Sequence, residues 1–439
     1  MHQLAIALRR KGYAVTGSDD EIFEPARSNL EKEGLLPAHL GWDPGVIDAD
    51  LDAVILGMHA KGDNPELRRA GELAIPIYSF PEYIFRESRD KKRVVVGGSH
   101  GKTTTTAMIM QVLREAGKDF DWLVGARLEG FSQSVSITNA PLIVCEGDEY
   151  PASALEKRPK FHFLYPHIAV ITGIAWDHIN VFPTFENYLE QFAIFLDKIE
   201  PGGVVIYNHT DAVLRQLVES HSTPIRRTGY GIPDHFIKNG ITVVQLEGQS
   251  AALRVFGDHN LLNLHAAYLV SKELGIDVAT FLKGMASFSG AARRLELLDQ
   301  GRDAAVYRDF AHAPSKVRAT IQAVKAQFPE RRLIAVLELH TYSSLSEQFL
   351  AEYRGALDQA DLAVVFYARH ALELKRMPPL PPEKVVAGFA KPGLIVIQDK
   401  GELQIWLMKQ SYKNANLLFM SSGNFDGLNL KECYNLPDL

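Results

Sequence analysis

The stretch "RVVVGGSHGKTTTT", Arg93–Thr106, decides how the rest of the chain is read. Val94, Val95 and Val96 form a β-branched run of the kind that makes a buried strand. Glycines follow at 97 and 98, then Gly101-Lys102-Thr103-Thr104, then the helix-compatible "TAMIMQVLREAGK", with Gly117 placed to end the helix. Strand, glycine turn and helix start together form a phosphate cradle. Glycines let backbone N–H groups approach oxygen anions, and the helix N-terminus adds positive potential. Lys102 neutralises charge and Thr103 is able to hold Mg²⁺. Gly98 precedes Gly101 by fewer residues than in the usual phosphate loop, and Val96 stands where the longer form has glycine. The bland alternative is a chance glycine-rich turn. The Lys-Thr pair and both flanking elements favour a shorter phosphate loop, with Gly98, Ser99, His100, Gly101, Lys102, Thr103 and Thr104 as the ATP-binding set.

The chain has 439 residues, enough for about three domains. It is 46% hydrophobic and 23% charged, the balance of a globular protein with ample core. A net charge of -6 with no basic stripe argues against a nucleic-acid surface. Cys145 and Cys433 lack metal-ligand spacing, which fits a reducing compartment. No apolar run is long enough to span a bilayer and no signal peptide is evident. A cytoplasmic monomer without membrane or nucleic-acid partners is expected.

Along the chain, "MHQLAIALRRKGYAVTGSDD" reads as a helix through Leu4, Ile6, Ala7 and Leu8, ended by Gly12, then a strand ending at Asp19. "LDAVILGMHA" and "IPIYSF" read as further strands, and "RESRDKKR" (Arg86–Arg93) as a charged linker. In the middle region "LIVC" ends in Glu146-Gly147-Asp148-Glu149, and "IAVITGI" leads to Trp176-Asp177-His178. Ligands collect at the carboxyl ends of parallel strands, so these acids and His178 are expected near Lys102. "VVIYN", "ITVVQL" and "AALRVFG" read as hairpin-like pieces flanking the main sheet. "GDHNLLNLHAAYLVSKELGI" reads as a helix with Asn260 and Asn263 on one face. Strands then alternate with helices again: "AAVYRD", "RLIAVLELH", "LAVVFYA", "LIVIQD" and "NLLFMSS". The expectation is an α/β fold of three domains. They are a Rossmann-like domain over 1–90 that starts inside a helix, a central phosphate-loop domain over 91–290, and a Rossmann-like domain over 291–439.

Each constellation has a plain structural reading beside the chemical one. Glu146, Asp148 and Glu149 form either a solvated strand end or, beside Gly-Lys-Thr, part of a metal site; Mg²⁺ favours one or two carboxylates plus phosphate oxygens. His178 is either a core histidine or a metal or phosphate partner. Arg293-Arg294 form a surface pair or bring guanidinium to phosphate. Asp309 in "YRDFAHAP" suits a ribose hydroxyl or a helix N-cap. His312 shares that strand end, and His340 in "LELHTYSS" reads alone as an exposed loop residue. The residues by themselves describe an ATP-binding α/β enzyme and do not choose between kinase, hydrolase and ligase.

The motifs "GGSHGKTTTT", "EGDEY", "ITGIAWDHINVF", "GDHNLLN", "FSGAARRLELL" and "YRDFAHAP" resemble, in order and spacing, those of the Mur ligases. These are the ATP-dependent amide-forming enzymes of peptidoglycan assembly. The resemblance covers nearly the whole chain. "SDDEIFEP", "EKRPKF", "RRLEL", "LIAVLE" and "FMSSGNFDGL" are most similar to the recycling branch, which joins a preformed L-Ala-γ-D-Glu-meso-diaminopimelate tripeptide to UDP-N-acetylmuramate. The branch that adds L-alanine carries an arginine-containing "HRYTRT"-like loop, whereas His340-Thr341-Tyr342-Ser343-Ser344 here has no arginine. Other branches carry a carbamylated lysine after the Asp-His pair; here no lysine occurs until Lys198. Two departures stand out. The family's opening strand and glycine-rich loop are not seen before Met1, which reads as a truncation or a misassigned start. Position 313 is Ala, so only His312 carries over from that motif.

The resemblance implies ATP and Mg²⁺ as cofactors and an acyl-phosphate intermediate. Lys102, Glu146, His178, Arg294 and His312 then become the catalytic candidates, with Thr103, Glu146 and His178 holding metal. Asn260 and Asn263 suit adenine, Asp309 the ribose, and Arg294 the phosphates. Asp19 suits the uridine part, while His100, Glu149, Asp177, His312 and His340 suit the sugar carboxylate or the incoming amine. Two alternatives stay open: an L-alanine-adding ligase, and a phosphate-loop regulatory protein without ligase activity.

Overall fold

A computed structural model of the chain describes residues 1–125, 128, 130–176, 181–290 and 294–436. They form two compact units, Met1–Pro233 with Leu262–Met285, and Asp234–Leu261 with Ala286–Leu439.

The first unit is built on a seven-stranded sheet. The strand Lys92–Gly97 lies in its middle, parallel to Leu142–Glu146 on one side and Ile168–Ile171 on the other. A strand covered on both faces reads as a continuous apolar run, and Val94, Val95 and Val96 are fully buried. Val204–Asn208 and Arg226–Tyr230 extend the parallel order on one side, Asp121–Leu123 on the other. Val135–Ser136 closes that far edge antiparallel. Val96 faces Glu146 in register and Gly97 faces Ile171, so three strands finish at one end of the sheet. "VVIYN" is therefore a fully buried parallel strand and not a hairpin arm: four apolar side chains in a row suit a position between two strands.

The N-terminal helix His2–Lys11 buries Leu4, Ile6, Ala7 and Leu8 and ends at Gly12, φ 103°. Leu4, Ala7 and Leu8 join the core around Tyr83, Ile84, Val95 and Cys145. Val54–Leu56 and Ile77–Ser79 pair parallel. The residues from Tyr13 to Asp19 belong to no ladder, contrary to the expected strand. β-propensity is realised only where a neighbouring strand offers its hydrogen bonds.

The charged run Arg86–Arg93 is not a solvated linker. Its first residues finish the helix Phe80–Ser88, which starts on a Ser79/Glu82 capping box. Arg93 is 2% exposed. Its guanidinium donates to the carbonyls of Ser88, Arg89 and Tyr165 and to the Glu200 carboxylate at 2.5 Å. Buried Lys91 pairs with Asp121, which also accepts from the Thr138 N–H and hydroxyl. Local composition gave no sign of this, because full pairing is what makes burying such charges tolerable.

The second unit holds an antiparallel three-stranded meander, His235–Lys238, Ile241–Leu246 and Gln249–Ala252. Its first turn is Asn239-Gly240, with both residues at positive φ, a form of turn that matches strand twist. The six-stranded sheet runs Glu296–Gln300, Ala305–Asp309, Ala415–Met420, Arg332–Glu338, Leu362–Phe366, Ile395–Ile397, parallel except for its first strand. Apolar clusters cover both faces. The fold is α/β with two largely parallel sheets, as expected from the alternation of strands and helices. Among the described residues no helix is long and apolar enough to cross a membrane.

Candidate active site

The loop after the strand Lys92–Gly97 follows from its glycines. Gly98 has φ 122°, and a Cβ there would lie 2.3 Å from the Thr172 hydroxyl oxygen and 2.8 Å from the Thr172 nitrogen. Gly101 has φ 83°, and a Cβ there would lie 2.3 Å from the Asn263 amide oxygen. Both positions need a left-handed backbone and tolerate no side chain. The helix Lys102–Glu115 begins immediately, so its first N–H groups, which have no intrahelical acceptor, point into the loop.

Lys102 Nζ donates to the Gly98 carbonyl at 2.6 Å and lies 2.8 Å from a carboxylate oxygen of Glu149, which is 1% exposed. Thr103 Oγ1 donates to Glu146 Oε1 at 2.8 Å, and Glu146 Oε2 accepts from the Gly125 N–H at 2.8 Å. Ammonium, hydroxyl and two carboxylates thus meet at the helix N-terminus. Ser99 Oγ accepts from the Ala175 N–H at 2.6 Å and lies 3.0 Å from Tyr188 Oη; the His100 ring bonds the Ser99 carbonyl. Asn263 Oδ1 accepts from Thr105 Oγ1 at 3.2 Å, behind the loop. Thr104 is buried on the helix's first turn. Asp148 forms a separate ion pair with Lys160 at 2.6 Å.

Sequence reasoning overlooked Thr172, whose hydroxyl donates to the carbonyls of Gly97 and His100 and ties the strand end "VIT" to the loop. It also overlooked Tyr188 and Gly125. A threonine directly after a buried strand was the available signal for Thr172; Tyr188 and Gly125 carried none.

Asp177 and His178 lie outside the described residues, as does Arg293. Asn260 belongs to the second unit, where its amide donates to the Phe256 carbonyl at 2.8 Å. Asp309 is buried, and its carboxylate accepts from the N–H groups of Leu295 and Ala311, both at 2.6 Å, so it clasps two loops. It is not the N-cap of the helix Pro314–Gln327, which starts at Ala313 without a side-chain cap. The Arg294 guanidinium stacks on Phe310 at 4.9 Å. His312 Nδ1 bonds the Phe310 carbonyl, and His340 is 3.8 Å from Glu338. In the first unit Asp19 bonds the exposed His59 ring at 2.9 Å, which raises the His59 pKa.

Residues 1–91 match the catalytic domain of the Mur ligase family, 96–271 the Mur ligase middle domain, and 293–423 the glutamate ligase domain of Mur ligases. A UDP-N-acetylmuramate–L-alanine ligase of Syntrophomonas wolfei is 30% identical over 456 aligned residues, spanning 100% of this chain and 95% of that one. The chain belongs to the Mur ligase family. Two solved structures share its fold. The murein peptide ligase of Psychrobacter arcticus 273-4 has a TM-score of 0.62 at 22% identity, over 100% of this chain and 97% of that one. The UDP-N-acetylmuramate–alanine ligase of Thermotoga maritima has a TM-score of 0.68 at 22% identity, over 97% and 94%. This Mur ligase is accordingly an ATP-dependent carbon–nitrogen ligase of peptidoglycan synthesis, acting on small molecules.

Proposed function

We propose that this Mur ligase joins L-Ala-γ-D-Glu-meso-diaminopimelate to the lactyl carboxylate of UDP-N-acetylmuramate, as a peptidoglycan-recycling enzyme. The observation that carries the choice of acceptor is the loop His340–Ser344. Thr341 Oγ1 lies 3.1 Å from Ser343 Oγ and 2.9 Å from Ser344 Oγ, so the loop satisfies itself with hydroxyls and offers no guanidinium of its own. A single amino acid presented by its carboxylate needs a bidentate cation, which two arginines supply in the L-alanine branch. A second reading, L-alanine as acceptor, draws on the Syntrophomonas wolfei relative, whose name states that activity.

A carboxylate is a poor target for an amine, so the γ-phosphoryl of ATP is first transferred to it, giving an acyl phosphate and ADP. The amine then displaces phosphate. Both partners of the first step are anionic, so the loop's role is positive charge. Its N–H groups and Lys102 receive the phosphates, with Arg294 as a further phosphate partner. The hydroxyl of Thr103 and the carboxylate of Glu146 form a hard oxygen pair that fits Mg²⁺, with His178 as a further candidate. Bound there, Mg²⁺ would neutralise charge on the transferring phosphoryl. Glu149 sets the position of Lys102. Asn260, Asn263 and Asp309 are assigned to the nucleoside, Asp19 to the uridine, and His100, Asp177, His312 and His340 to the substrate carboxylate and amine. The division into a UDP-sugar domain over 1–90, an ATP domain over 91–290 and an acceptor domain over 291–439 belongs to the same proposal.

The test is phosphate release in the presence of UDP-N-acetylmuramate, with tripeptide or L-alanine as second substrate. Turnover with tripeptide at a kcat/KM at least ~10-fold above that with L-alanine is expected; the reverse order would establish the second reading.

A further inference from the structure

The strand Ile168–Ile171 runs on into Thr172-Gly173-Ile174-Ala175, a turn that touches the phosphate loop at several points. The Ser99 N–H donates to the Gly173 carbonyl at 3.0 Å, and Ser99 Oγ accepts from the Ala175 N–H at 2.6 Å. Thr172 Oγ1 donates to the carbonyls of Gly97 and His100. The place of the loop therefore depends on the place of the turn. No strand or helix includes these four residues, so their shape is set by the groups that accept and donate around them.

A second hold comes from the neighbouring strand Val204–Asn208. It pairs parallel with Ile168–Ile171, Tyr207 facing Ile171, so the two chains leave the sheet side by side. Three residues beyond that strand, Asp211 caps the helix Ala212–Ser220, and its two oxygens have separate duties. Oδ1 accepts from the N–H groups of Val213 and Leu214 at 3.1 and 3.0 Å, which is the helix cap. Oδ2 accepts from the Ile174 N–H at 2.7 Å. The consecutive amides of Ile174 and Ala175 are thus gripped by different partners, one by Asp211 and the next by the phosphate loop. A cap needs a single oxygen, and serine would supply it. The second oxygen of an aspartate is what reaches the turn, and as a carboxylate it makes a charge-assisted bond there.

We infer that Asp211 is a positioning residue for ATP binding: through Ile174, Ala175 and Ser99 it sets the phosphate loop in its receptive geometry. In this role it acts on the loop and not on the nucleotide. The inference rests on the reading of Gly98–Thr104 as the phosphate loop.

The test is calorimetry of the full chain with a non-hydrolysable ATP analogue and Mg²⁺, beside thermal unfolding and steady-state kinetics. Asp211→Ser keeps an oxygen for the cap and has none left for Ile174. Asp211→Asn keeps the cap oxygen and turns an amide donor toward the Ile174 N–H. Both variants should bind the analogue about 10-fold or more weakly and raise the KM for ATP. Their melting temperature and KM for UDP-N-acetylmuramate should be little changed. Ser99→Ala breaks the link to Ala175, so adding Asp211→Ser to it should change affinity by less than about twofold. Wild-type affinity in both Asp211 variants, whether or not they melt earlier, would leave Asp211 a helix cap and overturn the inference. So would a full loss on the Ser99→Ala background. Lys102→Met isolates the reading beneath: should it and Ser99→Ala both bind the analogue as wild type does, the phosphate-loop assignment falls, and the inference with it.

Discussion

The ammonium of Lys102 lies 2.6 Å from a loop carbonyl and 2.8 Å from the buried Glu149 carboxylate, so it is positioned by the fold itself. In the proposed reaction its charge lets a nucleotide's terminal phosphate approach a second anion. Lys102→Met should therefore lower the ligase rate by about 100-fold or more, at unchanged thermal stability, in a UDP-N-acetylmuramate-dependent phosphate-release assay. Turnover near wild type would move the phosphate site elsewhere. Glu146 invites a different measurement. Glu146→Gln keeps shape and the acceptor for Gly125 but removes the charge, so the Mg²⁺ concentration giving half-maximal rate should rise severalfold. A Mg²⁺ titration superimposable on wild type would remove Glu146 from the metal site. Lys102, Thr103 and Glu146 were legible in sequence because polar residues end apolar strands or open a helix there. Asp309 was legible only as an acid at a strand end. That its carboxylate clasps Leu295 and Ala311 depends on a loop 14 residues away, which local pattern does not encode.

At the scale of elements, glycines separate conformational need from spatial need. Gly117 has φ 61° with nothing within 4 Å of a built Cβ, whereas Gly98 has φ 122° and meets Thr172 at 2.3 Å. Gly117→Ala should cost about 1 kcal/mol of stability and leave ATP binding intact. Gly98→Ala adds a clash against backbone and should cost about 1–3 kcal/mol more while weakening ATP affinity, since the loop must move off Thr172. Nucleotide titration alongside thermal unfolding checks the pair, and equal effects at both positions would contradict the argument. The same strand–loop–helix was the most readable element of the chain, because apolar run, glycines and cation agree. "YAVTGSD" misled for the opposite reason: its propensity is that of a strand, but no neighbour pairs with it. "VVIYN" misled in the other direction, since a run of apolar residues alone does not separate a buried parallel strand from a hairpin arm.

For the molecule as a whole, the alternation of strands and helices made both parallel sheets foreseeable, but not the compact units. The unit boundary at Leu261/Leu262 falls inside the continuous helix Asp258–Glu273, where sequence offers no break. What the whole chain shares is a set of histidines kept neutral. His162 is 3% exposed, with Nε2 bonded to the Gln191 carbonyl, and burial lowers its pKa from the ordinary 6.5. Burial likewise lowers His167, His265 and His259, the last against the pull of Asp309 and Asp258. Each of these groups binds its proton more readily in the unfolded chain. Their contribution to stability is therefore complete above about pH 6.5 and is lost as pH falls below it. His59 runs the other way, raised by Asp19, but with a side chain 60% exposed it is screened and weighs little. The denaturant midpoint should thus fall between pH 7.5 and pH 5.5, before most carboxylates titrate. Per histidine the slope has a ceiling of about 1.4 kcal/mol per pH unit. His162→Gln, which keeps a donor for the Gln191 carbonyl but cannot charge, should flatten the profile, and a wild-type midpoint that rises on acidification would refute the assignment.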